Sequence, residues 1–407
     1  TTAIGYGALQ SLITSVNSAG NTAVGYGSMQ VTTSGGWNTA LGYATLGSNT
    51  TGIQNTALGY VALNGNTTGQ NNVSVGYQNM TANTTGSSNI SMGVNTLIAN
   101  TTGSSNNAIG QQTLQANTTG SNNVAFGQYA LLTSTSTGNQ TAIGYGALQN
   151  SATGISNLAI GYNALTVNTY GNYNVGIGES ALDSNTTGSE NVAVGFLTLS
   201  TNTTGTQNIA SGGYALLNNS TGSYNTATGR SAMQMNTTGN YNTAIGNNAL
   251  NVNISGSNNV ALGVSALSAA TSTSNQTAIG YGALQNNATG VSNTALGYLS
   301  LNANTYGSYN IGIGESALGA NTTGNSNVGM GHKAGRVVTT GTGNLLLGHQ
   351  SGYNLTTGTG NILLGSSANA QNNLTTGDYN IAIGFDVGLP SATASNQLTI
   401  GNLIFGT

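Results

Sequence analysis

Asn55-Thr56-Ala57-Leu58-Gly59-Tyr60-Val61-Ala62-Leu63-Asn64-Gly65-Asn66-Thr67-Thr68-Gly69-Gln70-Asn71 is one copy of a unit that recurs along the whole 407-residue chain. With Gly59 as anchor, the equivalent glycine falls at Gly5 and Gly25, then every 17 residues to Gly365, and last at Gly384 and Gly401. The run from Gly25 to Gly365 contains 20 intervals with no slip; only the first interval (20 residues) and the one before Gly384 (19) deviate. A fixed short period over 24 copies marks a solenoid, in which each coil contacts only its neighbours.

The columns of this register are chemically uniform. Four residues before the anchor, Asn stands in 20 of the 24 copies, and Gln140, Gln276 and Gln397 keep the amide in three more. The residue before the anchor is apolar in 22 copies, Ser211 and Thr228 being the exceptions. The fourth residue after it is Leu or Met in the first 19, from Leu9 to Leu318. A longer period is superimposed. The segment from Asn139 to Asn150 returns from Asn275, eight repeats later, and Glu179 and Glu315 correspond. An eight-coil block is read as having been duplicated, which a solenoid tolerates.

Seventeen residues are too few for a pair of helices. Alternation around Thr-Ala-Ile predicts a short strand with Ile on one face and Ala on the other. The anchor glycine allows a bend or a close backbone approach. Ala-Leu can begin a second strand, and Asn-Thr-Thr-Gly reads as a turn with Gly supplying positive φ. The expected fold is therefore all-β, a parallel β-solenoid of about 24 coils and two short strands per coil, about 110 Å long at the usual strand spacing. Asn38, Asn55, Asn72, Asn89, Asn106 and Asn123 are expected to stack as an amide ladder. The aliphatic columns would form a narrow core. Residues 1–330 read as regular repeats. Residues 331–407 read as variant repeats tapering toward a missing C-terminal domain, because the Leu column gives way there to Gly335, Gly352, Asn369 and Gly388.

Composition narrows the function. Charged residues are 2% of the chain and the net charge is −3, which gives no electrostatic handle on nucleic acid. There are no cysteines for disulfides or thiolate metal sites. No apolar run approaches the ~18 residues of a membrane helix. The chain begins inside a repeat at Thr1 with no signal peptide, so it is expected to be a processed or partial chain. Three apolar side chains per coil bury little against the entropy of ordering seventeen residues, which favours further burial in a homo-oligomer.

The repeat Asn-Thr-Ala-Ile-Gly-Tyr-Gly-Ala-Leu resembles the head repeats of YadA-type trimeric autotransporter adhesins, and similar arrays occur in phage tail-fibre proteins that carry a C-terminal self-cleaving chaperone. Residues Ser395 to Gly406 look like the segment preceding such a chaperone. The resemblance implies a left-handed β-roll, a homotrimer, and attachment at a cell surface or virion, outside the cell. The period differs, 17 residues here against about 14 in the adhesin heads, with the extra residues falling in the Asn-Thr-Thr-Gly turn.

Catalytic constellations are sparse, and neither an enzyme nor a cofactor is expected. His332 and His349 lie one coil apart and could share a metal or respond to pH. The plainer reading is replacement of the usual Tyr on an exposed face. Six acidic residues are too few for one calcium ligand per repeat. Tyr26, Tyr43, Tyr60 and Tyr77 belong to a ladder after the anchor, shared by Tyr6, Tyr145, Tyr162, Tyr281 and Tyr298; it could face a glycan or a cell-surface receptor, or pack between chains. Asn-x-Ser/Thr sequences recur at Asn49, Asn66, Asn83, Asn100, Asn117, Asn185, Asn202, Asn236 and Asn321, and the turn alone explains them. His332, Lys333 and Arg336 cluster where the repeat changes, read as a transition zone rather than a binding site. The function that follows is a structural fibre or adhesin stalk. A phage tail-fibre shaft and a self-assembling filament subunit are the alternatives; ice binding ranks last, because the Thr pairs are adjacent and lie in turns.

Overall fold

A computed structural model describes residues 1–13, 18–365 and 373–401. Asn369 and the stretch 402–407, both part of the C-terminal reading, lie outside these residues. The fold is all-β, a parallel β-solenoid with a 17-residue repeat. Two compact units divide the chain, Thr1–Thr206 and Gln207–Thr407. Among the described residues each unit holds twelve three-residue strands. The first runs from β1 (Thr2–Ile4) to β12 (Val192–Val194), the second from β13 (Ile209–Ser211) to β24 (Leu398–Ile400). Pairing is parallel and in register, so β3 (Thr39–Leu41) sets Ala40 beside Ala57 and Leu41 beside Leu58 of β4 (Thr56–Leu58).

The structure corrects two expectations about the coil. It has one strand, not two. The Ala-Leu pair lies in a turn in which the second and fourth residues after the anchor both take positive φ, 58° at Val61 and 53° at Leu63. A left-handed residue bearing a Cβ costs about 1–2 kcal/mol. Leu63 is fully buried, and complete burial of a leucine returns about 1.5–3 kcal/mol, so packing outweighs the strain. Coil-to-coil bonding continues through this turn, with the Leu63 N–H donating to the Asn79 carbonyl at 2.9 Å and Val61 N–H to Tyr43 at 2.9 Å.

The second correction concerns which strand residues are inside. The strand-centre Ala is fully buried (Ala40, Ala57, Ala142), whereas the larger aliphatic before the anchor faces out. Leu41 and Leu58 are 46% and 41% exposed. The core is therefore built from strand-centre Ala, the Ala-Leu pair of the turn, and asparagine.

The anchor glycine is required twice over. Gly161 has φ +136°, and a Cβ there would lie 2.5 Å from the Gly178 carbonyl oxygen of the next coil. Gly69, in the Asn-Thr-Thr-Gly turn, does not have the positive φ expected of it. It is glycine for want of space: a Cβ there would lie 2.4 Å from both Asn66 Oδ1 and the Gly86 carbonyl oxygen. Two amide side chains converge on its carbonyl, Asn55 Nδ2 donating to it at 2.9 Å and Asn66 Nδ2 at 3.0 Å.

Those two amides belong to two buried ladders. In the first, Asn55 Nδ2 donates to Asn38 Oδ1 at 3.1 Å and the Asn55 backbone N–H to the same oxygen at 2.9 Å. Asn72 repeats this on Asn55, Asn89 on Asn72, Asn106 on Asn89 and Asn123 on Asn106. The second ladder, Asn49–Asn66–Asn83–Asn100–Asn117, links each Nδ2 to the preceding Oδ1 at 2.8 Å. It stops where its column leaves asparagine. Ser134 follows Asn117, Ala270 follows Asn253 and Val338 follows Asn321; the Oδ1 atoms of Asn117, Asn253 and Asn321 are buried without a partner.

Where the amide is lost beyond Asn117 and Asn253, the glycine three residues on is lost too, giving Ser134 with Thr137 and Ala270 with Thr273. The reason is steric: a Cβ at Gly290 would lie 2.6 Å from Asn287 Oδ1. Restoring the amide therefore requires restoring the glycine. The double substitution Ala270→Asn/Thr273→Gly is expected to join Asn253 to Asn287 and to satisfy the stranded oxygen, stabilising the second unit by about 1–3 kcal/mol over Ala270→Asn alone. Urea unfolding midpoints of the two variants measure this, and equal midpoints would refute the coupling.

Candidate functional surface

Parallel in-register stacking sets like side chains side by side on the outside of each unit. Tyr6, Tyr26, Tyr43, Tyr60 and Tyr77 form one such stack, with successive ring centroids 5.4, 5.3, 5.2 and 5.2 Å apart and the planes within 15° of parallel. All five are exposed. Tyr145 stacks on Tyr162 and Tyr281 on Tyr298 in the same way. The column is a one-ring-wide strip beside the sheet. A second tyrosine column, five residues before the anchor, was missed in the sequence; there Tyr224 and Tyr241 stack at 4.8 Å. Its signal was available in Trp37, Tyr173, Tyr309 and Tyr379, which share that register.

Next to the strip lie the two outward strand columns. The one before the anchor carries Ile4, Leu41, Leu58, Met92, Ile109, Phe126 and Val194 in the first unit and Ile245, Leu296, Met330 and Ile400 in the second, all exposed. Singly exposed hydrophobics need no explanation, but a contiguous apolar row does.

The histidine pair stacks at 5.1 Å, and His332 Nε2 lies 3.8 Å from Glu315 Oε2. Glu315 occupies the same column one coil earlier, so an acid flanks the pair. Among the described residues no group of three His, Cys, Asp or Glu is placed to hold a metal ion. The cluster His332, Lys333 and Arg336 divides. His332 belongs to the stack, whereas the Arg336 guanidinium donates to the Tyr353 hydroxyl at 2.9 Å, on a turn column.

The nine Asn-x-Ser/Thr asparagines of the Asn-Thr-Thr-Gly turn column are not on the surface. Asn49, Asn66, Asn83, Asn100, Asn117, Asn185, Asn202, Asn236 and Asn321 are fully buried, and the Nδ2 that a glycan would occupy is committed to ladder or turn bonds. No helix among the described residues is long and apolar enough to cross a membrane. No protein-family model matches the chain, and no curated protein matches it.

Two outcomes follow. Chain expressed in a glycosylating secretory host and recovered folded should carry no glycan at Asn66 or Asn83 by peptide mapping; occupancy of either would contradict the burial. Asp183, half-buried in the turn column, has its carboxyl raised above the usual 3.8 by burial, with a bond from Thr166 opposing. Raising the folded pKa of an acid disfavours its charged form, so this group lowers stability as pH rises through the ordinary carboxylate range. Asp183→Asn should modestly raise the melting temperature at pH 7, with the gain vanishing near pH 3.

Proposed function

We propose that this chain is a structural stalk, a repeat segment of an extracellular fibre or adhesin that works as a homo-oligomer. The observation that carries the reading is the outward apolar column. All twelve strands of the first unit and ten of the twelve in the second present Ile, Leu, Val, Met or Phe at one position of a parallel sheet, in register and at one strand spacing. A second copy of the same chain is the occupant such a face suits best, because its own columns repeat at the same spacing. Burial is worth about 25 cal/mol per Å² of apolar surface, and an interface made of a whole column would reach the size of stable oligomers. The resemblance of the repeat to trimeric adhesin heads and tail-fibre arrays favours three copies and a place at a cell surface or virion.

Catalysis suits this architecture poorly. General acid–base and nucleophilic chemistry needs unlike groups converging on one point, whereas in-register stacking multiplies like groups along a line. The tyrosine strip, with flat apolar rings and polar tips, is the part of the stalk suited to a glycan or a receptor.

Light scattering of the purified chain is expected to give three times the 40.4 kDa protomer mass. Placing Lys at Leu58 and Leu296, one in each unit, should convert the assembly to protomers without loss of β-sheet circular dichroism. A wild-type chain that is monomeric at micromolar concentration overturns the oligomer, and open-ended polymers would favour a filament subunit instead.

A further inference from the structure

In the first five coils the anchor glycine is followed by tyrosine, and parallel pairing holds these residues one coil apart. The carbonyls of Tyr6, Tyr26, Tyr43 and Tyr60 accept from the backbone N–H groups of Gly27, Ala44, Val61 and Gln78 at 2.9, 2.8, 2.9 and 2.9 Å. The side chains are held less firmly. All five rings are exposed, and exposed side chains change rotamer within picoseconds to nanoseconds. Each phenol therefore has another phenol beside it, ring centroids 5.2–5.4 Å apart, while both rings remain free to turn. The arrangement recurs as the pair Tyr145–Tyr162 in the first unit and Tyr281–Tyr298 in the second. Tyr379 is the contrasting case. It is 64% exposed, but its column neighbours are Gly360 and Asn396.

We propose that the tyrosine stacks are sites of oxidative coupling, where a haem peroxidase acting with hydrogen peroxide joins successive coils through dityrosine. Each of two phenols gives one hydrogen atom, an electron and a proton, to the oxidised haem. One hydrogen peroxide accepts both electrons and both protons and leaves as two waters. The two phenoxyl radicals form a carbon–carbon bond between the positions ortho to their oxygens. The ring hydrogen at each joined carbon then moves to oxygen as a proton, which restores both phenols. Coupling needs a second tyrosine within reach before the radical is lost, and the fixed backbone spacing supplies one at every coil of the stack. The product closes a loop one coil long and constrains the unfolded chain as a disulfide does, in a protein that has no cysteine. The inference needs only the stack, so it stands or falls independently of the fibre reading and of any ligand for the strip.

Treating the full-length chain with a haem peroxidase and hydrogen peroxide at micromolar concentration tests the proposal, read by fluorescence, denaturing gel and peptide mapping by mass spectrometry. Dityrosine emission is expected to appear while the denatured band stays at the 40.4 kDa of a single chain. Mapped links should join residues 17 apart, as Tyr26–Tyr43, Tyr43–Tyr60 or Tyr60–Tyr77, each with the loss of two hydrogens. Tyr43→Phe keeps the ring and removes the phenol, so both links at position 43 should vanish while Tyr60–Tyr77 persists. Val94→Tyr extends the column by one ring and should add a link from Tyr77 to position 94. Absence of dityrosine overturns the proposal, as does linkage chiefly between chains. Links to Tyr379 as frequent as those within the stack overturn it too, and so does folded Val94→Tyr without the added link.

Discussion

The solenoid depends on the buried asparagine amide. An amide has one strong acceptor and one donor group, and inside a coil water serves neither. Each ladder asparagine finds its donor's partner one coil back and offers its oxygen one coil forward, while its second N–H closes the coil on a glycine carbonyl, as Asn55 does on Gly69. A coil that failed to close this circuit would leave a buried amide and a buried carbonyl unpaired together, a cost that favours a constant period. The 19-residue interval keeps the circuit closed with two more residues inside it: Asn361 Nδ2 still donates to the Gly377 carbonyl at 2.9 Å, 16 residues on. Across the 19-residue interval the ladder re-forms, with Asn380 Nδ2 on Asn361 Oδ1 at 3.1 Å.

The same interior imposes a volume rule, visible where the repeat changes character. From Gly335 the turn leucine disappears, and in the next two strands Leu346 and Leu363 replace the central alanine. A Cβ on Gly335 would lie 2.5 Å from Leu346 Cδ1, so the leucine has moved from the turn to the strand and taken the same space. In parallel the second asparagine column becomes Val338, Leu355 and Leu374, all fully buried. The first ladder persists through Asn344, Asn361 and Asn380. Described coils in this region exchange one of the two polar ladders for an apolar column.

Much of this was legible in the sequence, because a repeat averages out the noise of single positions. The period, the parallel solenoid and the Asn38–Asn123 column could be read from spacing alone. Three features could not. Left-handed Leu63 has no sequence signature, since leucine is the last residue propensity would place there, and only its complete burial makes the conformation affordable. The Asn-Thr-Thr-Gly segment reads as a surface turn, yet its asparagine points inward; polarity indicates exposure only when no second polar column waits inside. The open notch over Gly319, in the column five residues after the anchor, arises from the directions in which Asn302 and Arg336 lean. Gly47, in the same column, shows that the glycine alone does not make it.

The outward orientation of the aliphatic strand column also follows from the interior, though only in part. A coil that already holds two amides and one leucine has room at the strand centre for little more than a methyl: a Cβ built on Gly176 would lie 3.2 Å from Leu165 Cδ1. Isoleucine and valine cannot enter and must face out. Nothing inside the coil, however, requires the outward residue to be apolar. Ser211 and Thr228 occupy that position in intact strands and pair like the rest. A soluble surface built by stacking alone would fill the column with such residues, as the column two positions earlier often does with Thr22, Thr39 and Thr56. Apolar side chains instead hold 22 of the 24 positions. Since the interior does not require that preference, this column is the feature on which the proposed homo-oligomer rests.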